Sequence, residues 1–314
     1  MAGFRRGLIV CSGVGDGRAA LELGLVLAQH SVGSLRILVV APPLPASMLA
    51  YSSIFEKSLR DQLAQQTSAV ASALGIEAAC APIPVTVEFD ASPAECATRL
   101  AQRDDCELIL KEVDGAGGRT GLAPVDLNIL RLAPMPVWLA RPRPIRPGGM
   151  RVGVAVDPLA PGLAAWGLAL RMLRMGHELS RLGAFPLQVV SCWTYEYEAY
   201  LDRNPWFLRM DAAELQAAVR DADDDHCAAL DRLLQEAGID GPLRVNRIHG
   251  TAASRVPAFV EDSDLDVLLM GTSNKAGLRA LLMGRAAEGI LQSLRCSVLA
   301  FKPDESVPPG TRRP

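Results

Sequence analysis

The stretch Leu268–Pro303, LLMGTSNKAGLRALLMGRAAEGILQSLRCSVLAFKP, reads as a buried strand, a glycine-bearing loop, a helix and a second strand. Asp266–Met270 and Ser297–Phe301 are apolar runs of strand length, and the helix between them begins at Gly284. The first N–H groups of a helix have no partner inside it, so such a start suits an anion. A degraded copy of the same arrangement ends in the middle of the chain, at Pro136-Val137-Trp138-Leu139-Ala140-Arg141-Pro142. Ile129-Leu130 in the helix before that copy matches Ile290-Leu291, and Arg5–Cys11 matches Arg151–Asp157.

Working outward, one order of elements recurs twice. In the first half, strands are expected over Gly7–Cys11, Leu35–Val40, Val85–Phe89, Glu107–Leu110 and Val137–Ala140. Helices are expected over Ala19–Gln29, Ile54–Leu74, Pro93–Arg103 and Val125–Leu132, with Pro42–Ser52 a loop. In the second half, Val152–Val156, Leu187–Trp193, Leu243–Ile248, Asp266–Met270 and Ser297–Phe301 alternate with helices over Leu163–Leu182, Asp211–Ala237, Ala252–Glu261 and Gly284–Leu294. Continuous apolar strands alternating with helices predict an α/β protein of two tandem Rossmann-like domains, each a five-stranded parallel sheet with helices on both faces. Ligands of such sheets bind beyond the carboxyl ends of the strands, where the strand order reverses. The proline-rich segment 142–149 cannot continue a sheet or a helix and is read as a linker. The expected domains are therefore 1–141 and 150–303, with a disordered tail over 304–314.

The chain has 314 residues, 49% of them hydrophobic, and a net charge of only −3, which suits a globular protein with no field to attract nucleic acid. Its seven cysteines form no C-x-x-C pair, and the expectation is scattered reduced thiols in a cytoplasmic protein. The run Leu8–Cys11 is too short for a signal peptide, and no segment has the apolar length of a membrane span.

On these repeats and motifs the chain resembles the universal stress protein family in its tandem form. The resemblance covers nearly the whole length, and Pro124–Arg131 leading to Pro136-Val137-Trp138 adds to it. Nucleotide-binding members of that family carry a loop G-2x-G-9x-G-(S/T) after the fourth strand and an aspartate ending the first. Members commonly dimerise through the last strand. The resemblance thus implies that Val137–Ala140 and Ser297–Phe301 pair within one chain as a pseudo-dimer, with a further homodimer as an added expectation.

Carried over residue by residue, the pattern puts Asp157 at the aspartate, Gly271 at the first glycine and Gly284 at the third. Asn274 replaces the second glycine and Arg285 the hydroxyl residue. Asn tolerates left-handed backbone angles but crowds a phosphate, and Arg binds phosphate as a bidentate donor or else reaches solvent. Cys192, Thr272 and Ala286 complete the expected lining. The implied ligand is ATP or another adenine nucleotide, without a metal. Asp157 reads equally well as the cap of an Asp-Pro turn, and Lys275, Arg279 and Arg285 as a solvated basic loop.

In the first half the corresponding positions are Cys11, Lys111 and Ala123-Pro124, a dismantled site, since proline offers a phosphate no N–H. Gly115, Gly117, Gly118 and Gly121 read as a flexible turn, Gly13–Gly17 as a weak glycine motif and Cys11 as a buried thiol. Asp223-Asp224-Asp225-His226 reads as a solvated helix face, because consecutive helical residues diverge. His249 reads as a loop histidine, and Trp193, Tyr195, Tyr197, Tyr200 and Trp206 as sheet-edge packing or an apolar ligand surface. The function these features imply is a non-catalytic stress-response protein binding a small molecule. The alternatives are a carrier of an amphipathic metabolite and a weak nucleotide hydrolase.

Overall fold

The computed structural model describes residues 4–12, 17–30, 33–76, 83–114, 121–143, 146, 148–195, 197, 212–272 and 285–303. The expected tail, 304–314, lies outside them. Contacts divide the chain into two units. Among the described residues, the first takes those before residue 147 together with Leu291–Lys302, and the second those from Gly148 to Thr272 together with Arg285–Ile290.

In the first unit the elements are β1 (Arg6–Ser12), α1 (Arg18–His30), β2 (Ser34–Ala41), a 3-10 turn (Ala46–Tyr51), α2 (Ser52–Ala73), β3 (Val85–Phe89), α3 (Pro93–Arg103), β4 (Leu108–Glu112), α4 (Pro124–Leu132) and β5 (Val137–Ala140). The strands pair in parallel in the order β3-β2-β1-β4-β5. Leu8, Ile9, Val10 and Cys11 of β1 are all buried, as a strand covered on both faces requires. The helix expected from Ile54 starts earlier, at Ser52, and a 3-10 turn occupies part of the expected loop.

The second unit holds β6 (Val152–Ala155), α5 (Leu163–Ser180), β7 (Leu187–Trp193), α6 (Ala212–Ala237), β8 (Leu243–His249), α7 (Ala252–Asp262) and β9 (Val267–Gly271). Its parallel order is β9-β6-β7-β8, the counterpart of β4-β1-β2-β3. Helix α8 (Arg285–Ser293) then leads to β10 (Ser297–Phe301). β10 lies antiparallel to β5, with Val298 opposite Leu139 and Ala300 opposite Val137, which is the expected last-strand pairing. Two further bonds anchor it in the first unit: the Arg141 N–H donates to Ser297 Oγ at 3.1 Å, and Lys302 Nζ donates to the Arg131 carbonyl at 2.6 Å.

The two repeats share a device at the foot of the sheet. The N–H of Arg5, just before β1, donates to Glu107 at 2.7 Å, and the N–H of Arg151, just before β6, donates to Asp266 at 2.9 Å. Each acceptor follows an aspartate in the left-handed region, Asp105 and Asp264, both at φ 47°. Aspartate is among the few side chains that tolerate this conformation. The same carboxylate and the same turn fix the first strand against the fourth in each repeat.

Close helix-to-strand approach in the second unit depends on Gly176 of α5. A Cβ there would lie 2.4 Å from Cγ2 of buried Val154 and 3.2 Å from Leu187 Cδ1. Overpacking of this kind costs about 1–3 kcal/mol, against about 1 kcal/mol recovered from helix propensity. Gly176→Ala is therefore expected to lower the urea midpoint, whereas Gly167→Ala on the same helix, where a Cβ meets nothing within 4 Å, should raise it.

Candidate functional site

In the first repeat the carboxyl edge is filled by the chain itself. Lys111, on β4, is 3% exposed, and its Nζ lies 2.8 Å from Asp126, 2.8 Å from Asp114 and 2.9 Å from the Glu112 carbonyl. Asp126 is fully buried and turns back on its own helix start, accepting the Ala123 N–H at 3.1 Å. Burial pushes its carboxyl up, while the Lys111 ammonium pulls it down. Neighbouring Glu112 accepts the Ala19 N–H in the first turn of α1 at 2.7 Å. Cys11, at the end of β1, is buried, and that burial, reinforced by Glu112, pushes its thiol up to about 12. A dismantled site was expected here, and an internal ion-pair cluster stands in its place. Residues 13–16 and 115–120, which hold most of the glycines singled out in this half, lie outside the described residues.

In the second repeat the site residues gather where β6, β7 and β9 end. Asp157 is exposed just beyond β6, and its Oδ1 accepts the Leu159 N–H at 3.1 Å, so it caps the Asp-Pro turn. Gly271 ends β9, the direct neighbour of β6. A Cβ on Gly271 would come within 3.0 Å of Leu168 Cδ2 on α5, which gives this glycine a packing role as well. Thr272 is buried. Cys192, on β7 next to β6, is half-buried; burial raises its thiol pKa, Arg255 opposes this and Asp157 adds to it, so it stands as a neutral thiol near Asp157. Arg285 and Ala286 open α8. Asn274 and Gly284 lie outside the described residues, as do Lys275, Arg279, Tyr200 and Trp206.

Sequence reasoning missed the residue beneath this edge. His226 does not share the solvent with its acidic neighbours: Asp224 and Asp225 are exposed, whereas His226 is only 1% exposed on the inner face of α6. Its Nε2 lies 2.8 Å from Ser191 Oγ, and that hydroxyl donates to the Val156 carbonyl at 3.0 Å. The single hydroxyl proton is thus used on the carbonyl, so Nε2 carries a proton and donates to the serine. Nδ1 is then a bare acceptor, buried and without a hydrogen-bond partner. Burial lowers the pKa of His226 and nearby Arg247 lowers it further, while Asp157 and Asp223 oppose this. Asp223 is held by Arg247 at 3.1 Å. The signal available in the sequence was phase: His226 lies four and seven residues before Leu230 and Leu233, both buried on the same helix.

The aromatic residues are in part brought together. Trp193 stacks on exposed His249 at 4.6 Å between ring centroids, and Tyr195 lies 5.9 Å from Tyr197. Among the described residues no group of three His, Cys, Asp or Glu side chains is placed to hold a metal, and no helix is long and apolar enough to cross a membrane.

Removing the Lys111 ammonium leaves the fully buried Asp126 carboxylate without its cation, a loss of about 3–5 kcal/mol. Lys111→Met should show it in urea denaturation, Asp126→Ala should lose less because Asp114 still pairs with Lys111, and Lys111→Met combined with Asp126→Leu should lose less than Lys111→Met alone. For His226 the sign follows from its lowered pKa. Below about 6.5 the unfolded chain binds a proton that the folded chain refuses, so stability falls as pH drops from there toward the folded value. Unfolding free energies measured from neutral pH to about pH 5 should show this decline, and His226→Gln should flatten it.

The family model described as "Universal stress protein family" matches residues 3–141 and 150–302. Over 319 residues the chain is 24% identical to universal stress protein E of Salmonella typhi, covering 97% of this chain and 96% of that one. The figure is again 24%, over 322 residues, for universal stress protein E of Escherichia coli strain K12. Among solved structures, a universal stress protein from Archaeoglobus fulgidus DSM 4304 superposes with a TM-score of 0.59 at 15% identity, covering 96% of this chain and 97% of that one. A functionally unknown protein from Pseudomonas aeruginosa PAO1, PA1789, gives 0.64 at 20% identity, with 96% and 94% covered. With the family matched over both repeats and the same parallel strand order built in each, the chain belongs to the universal stress protein family.

Proposed function

We propose that this chain is a non-catalytic ligand-binding protein of the stress response, whose second repeat holds an adenine nucleotide or a related anion beyond the ends of β6 and β9. The observation that carries the reading is the contrast between the repeats at one position. The fourth strand of the first repeat closes with Lys111, whose ammonium is committed to a buried pair, and Glu112, while that of the second ends on Gly271, followed by Thr272, which bring no charge. An anion at the second edge would meet the start of α8, with Gly284 giving room and Arg285 a bidentate donor. Asp157 would accept from an amino group or a ribose hydroxyl, with Cys192 and Thr272 beside it at the strand ends. In the first repeat the same position offers Pro124, without an N–H.

The Ser191–His226 pair has the spacing of an activated nucleophile. Its hydroxyl is fully buried and gives its proton to a backbone carbonyl, which supports a non-catalytic role. Free cysteines, Cys11, Cys96, Cys106, Cys192, Cys227 and Cys296 among them, support a cytoplasmic setting. A second reading, a carrier of an amphipathic metabolite, draws on the Trp193–His249 and Tyr195–Tyr197 pairs.

Mass spectrometry of the purified protein and calorimetric titration with ATP test the proposal. Bound nucleotide is expected, and Asp157→Ala and Arg285→Ala should each weaken ATP by about tenfold or more. No heat and no retained nucleotide would sink it. A retained apolar compound that changes Trp193 fluorescence would favour the carrier. Phosphate release abolished by Asp157→Ala would make the protein a hydrolase.

A further inference from the structure

The first unit carries an apolar surface that the described residues leave exposed. From Ile37 to Phe55 the sequence has no charged residue, although charged residues make up 21% of the chain. The first part of this run is buried in β2, and the second emerges as the 3-10 turn and the start of α2. Along α2 the inward stripe of Leu63 and Leu59 is buried, but continued toward the helix start it reaches Phe55 at 39% exposed and Tyr51 at 59%. Met48 and Ile54, each three residues from Tyr51, are 48% and 66% exposed, and Leu49 is 58% exposed. The residues between them are Ala50, Ser52 and Ser53. Phe55 has a ring neighbour, Phe89, at 6.1 Å.

We propose that this face, Met48, Leu49, Tyr51, Ile54 and Phe55, is the core of an isologous interface with a second copy of the chain. Area decides for a protein partner of this size. Five large side chains about half exposed offer roughly 400–500 Å² of apolar surface, at the upper end of what a monomer normally shows. A standard interface takes about 800 Å² per partner with an apolar share of about 65% at its core, or about 500 Å². The patch is therefore the right size for the centre of one such interface. Its composition, rich in aromatics and Met and empty of charge, is that of an interface core. A helix start with apolar residues three and four apart packs against its own symmetry mate as ridges into grooves. The charges begin directly after Phe55, with Glu56 and Arg60 already paired at 2.6 Å, and so form a rim on one side. A lipid surface fits less well, since Glu56 and Asp61 offset Lys57 and Arg60. The free edge of β5 is already occupied by β10, so a second copy cannot enter there.

Sedimentation velocity of the full chain from about 1 to about 100 µM tests the proposal. The native chain should dimerise in this range, and Tyr51→Lys with Ile54→Lys should raise the dissociation constant at least about tenfold, as loss of a hot spot does. Both substituted positions are exposed, so circular dichroism should not move, nor should the thermal midpoint at a dilution where both chains are monomeric. A native chain that stays monomeric overturns the proposal, and so does a dimer that the double variant forms equally well. Co-sedimentation of a monomeric native chain with neutral phosphatidylcholine vesicles, lost in the variant, would assign the face to lipid instead.

Discussion

A parallel sheet cannot be closed by hairpins; each strand must be followed by a crossover that returns the chain to the same end. In this protein that constraint sets almost everything else. The crossovers are helices laid over the faces, so the central strands are buried on both sides and every residue of β5 is apolar and covered, while β3 and β8 at the edges stay partly exposed. All the turns that follow strands are then collected at one edge. Where the order reverses, between β1 and β4 and between β6 and β9, two of these turns diverge, and side chains from separate parts of the sequence come within reach of one another.

The two repeats show how freely that edge varies once the strands are fixed. Below it they are held by the same carboxylate and left-handed aspartate, at Glu107 and Asp105 in one and Asp266 and Asp264 in the other. At the edge they part. One repeat has Cys11, Lys111 and Asp126 packed as an internal group, and the other has Asp157, Gly271 and Thr272 above a neutral histidine and serine. A buried ion pair is weak as a source of net stability, because desolvation offsets most of the attraction. Lys111–Asp126 is better understood as a pair that keeps two buried charges satisfied at this edge.

The alternation of elements was legible because apolar runs and helical spacing are local properties, whereas the β5–β10 pairing was implied only by the resemblance to a family that dimerises through its last strand. The Lys111–Asp126 pair was half legible. Lys111 stood out as the residue replacing a glycine, but its partner lies fifteen positions on in α4, and nothing in the spacing names it. His226 was hidden by its company. Three aspartates before it suggest solvent, and only the phase of Leu230 and Leu233 on the same helix turns it inward. The apolar 3-10 turn Ala46–Tyr51 falls in the expected loop, because prolines and serines punctuate that stretch, yet it carries the chain directly into α2.

The pairing of β10 with β5 has a consequence for biosynthesis. The strand that finishes the first unit is made about 155 residues after the strand it covers, so at usual ribosomal speeds β5 waits about ten to thirty seconds for its neighbour. During that interval Val137–Ala140 is an uncharged, unpaired edge, the kind that recruits strands from other nascent chains. Cutting the protein at its proline-rich linker would make that interval permanent. The two repeats look separable in the sequence, yet the first can complete its sheet only when the second has nearly been translated.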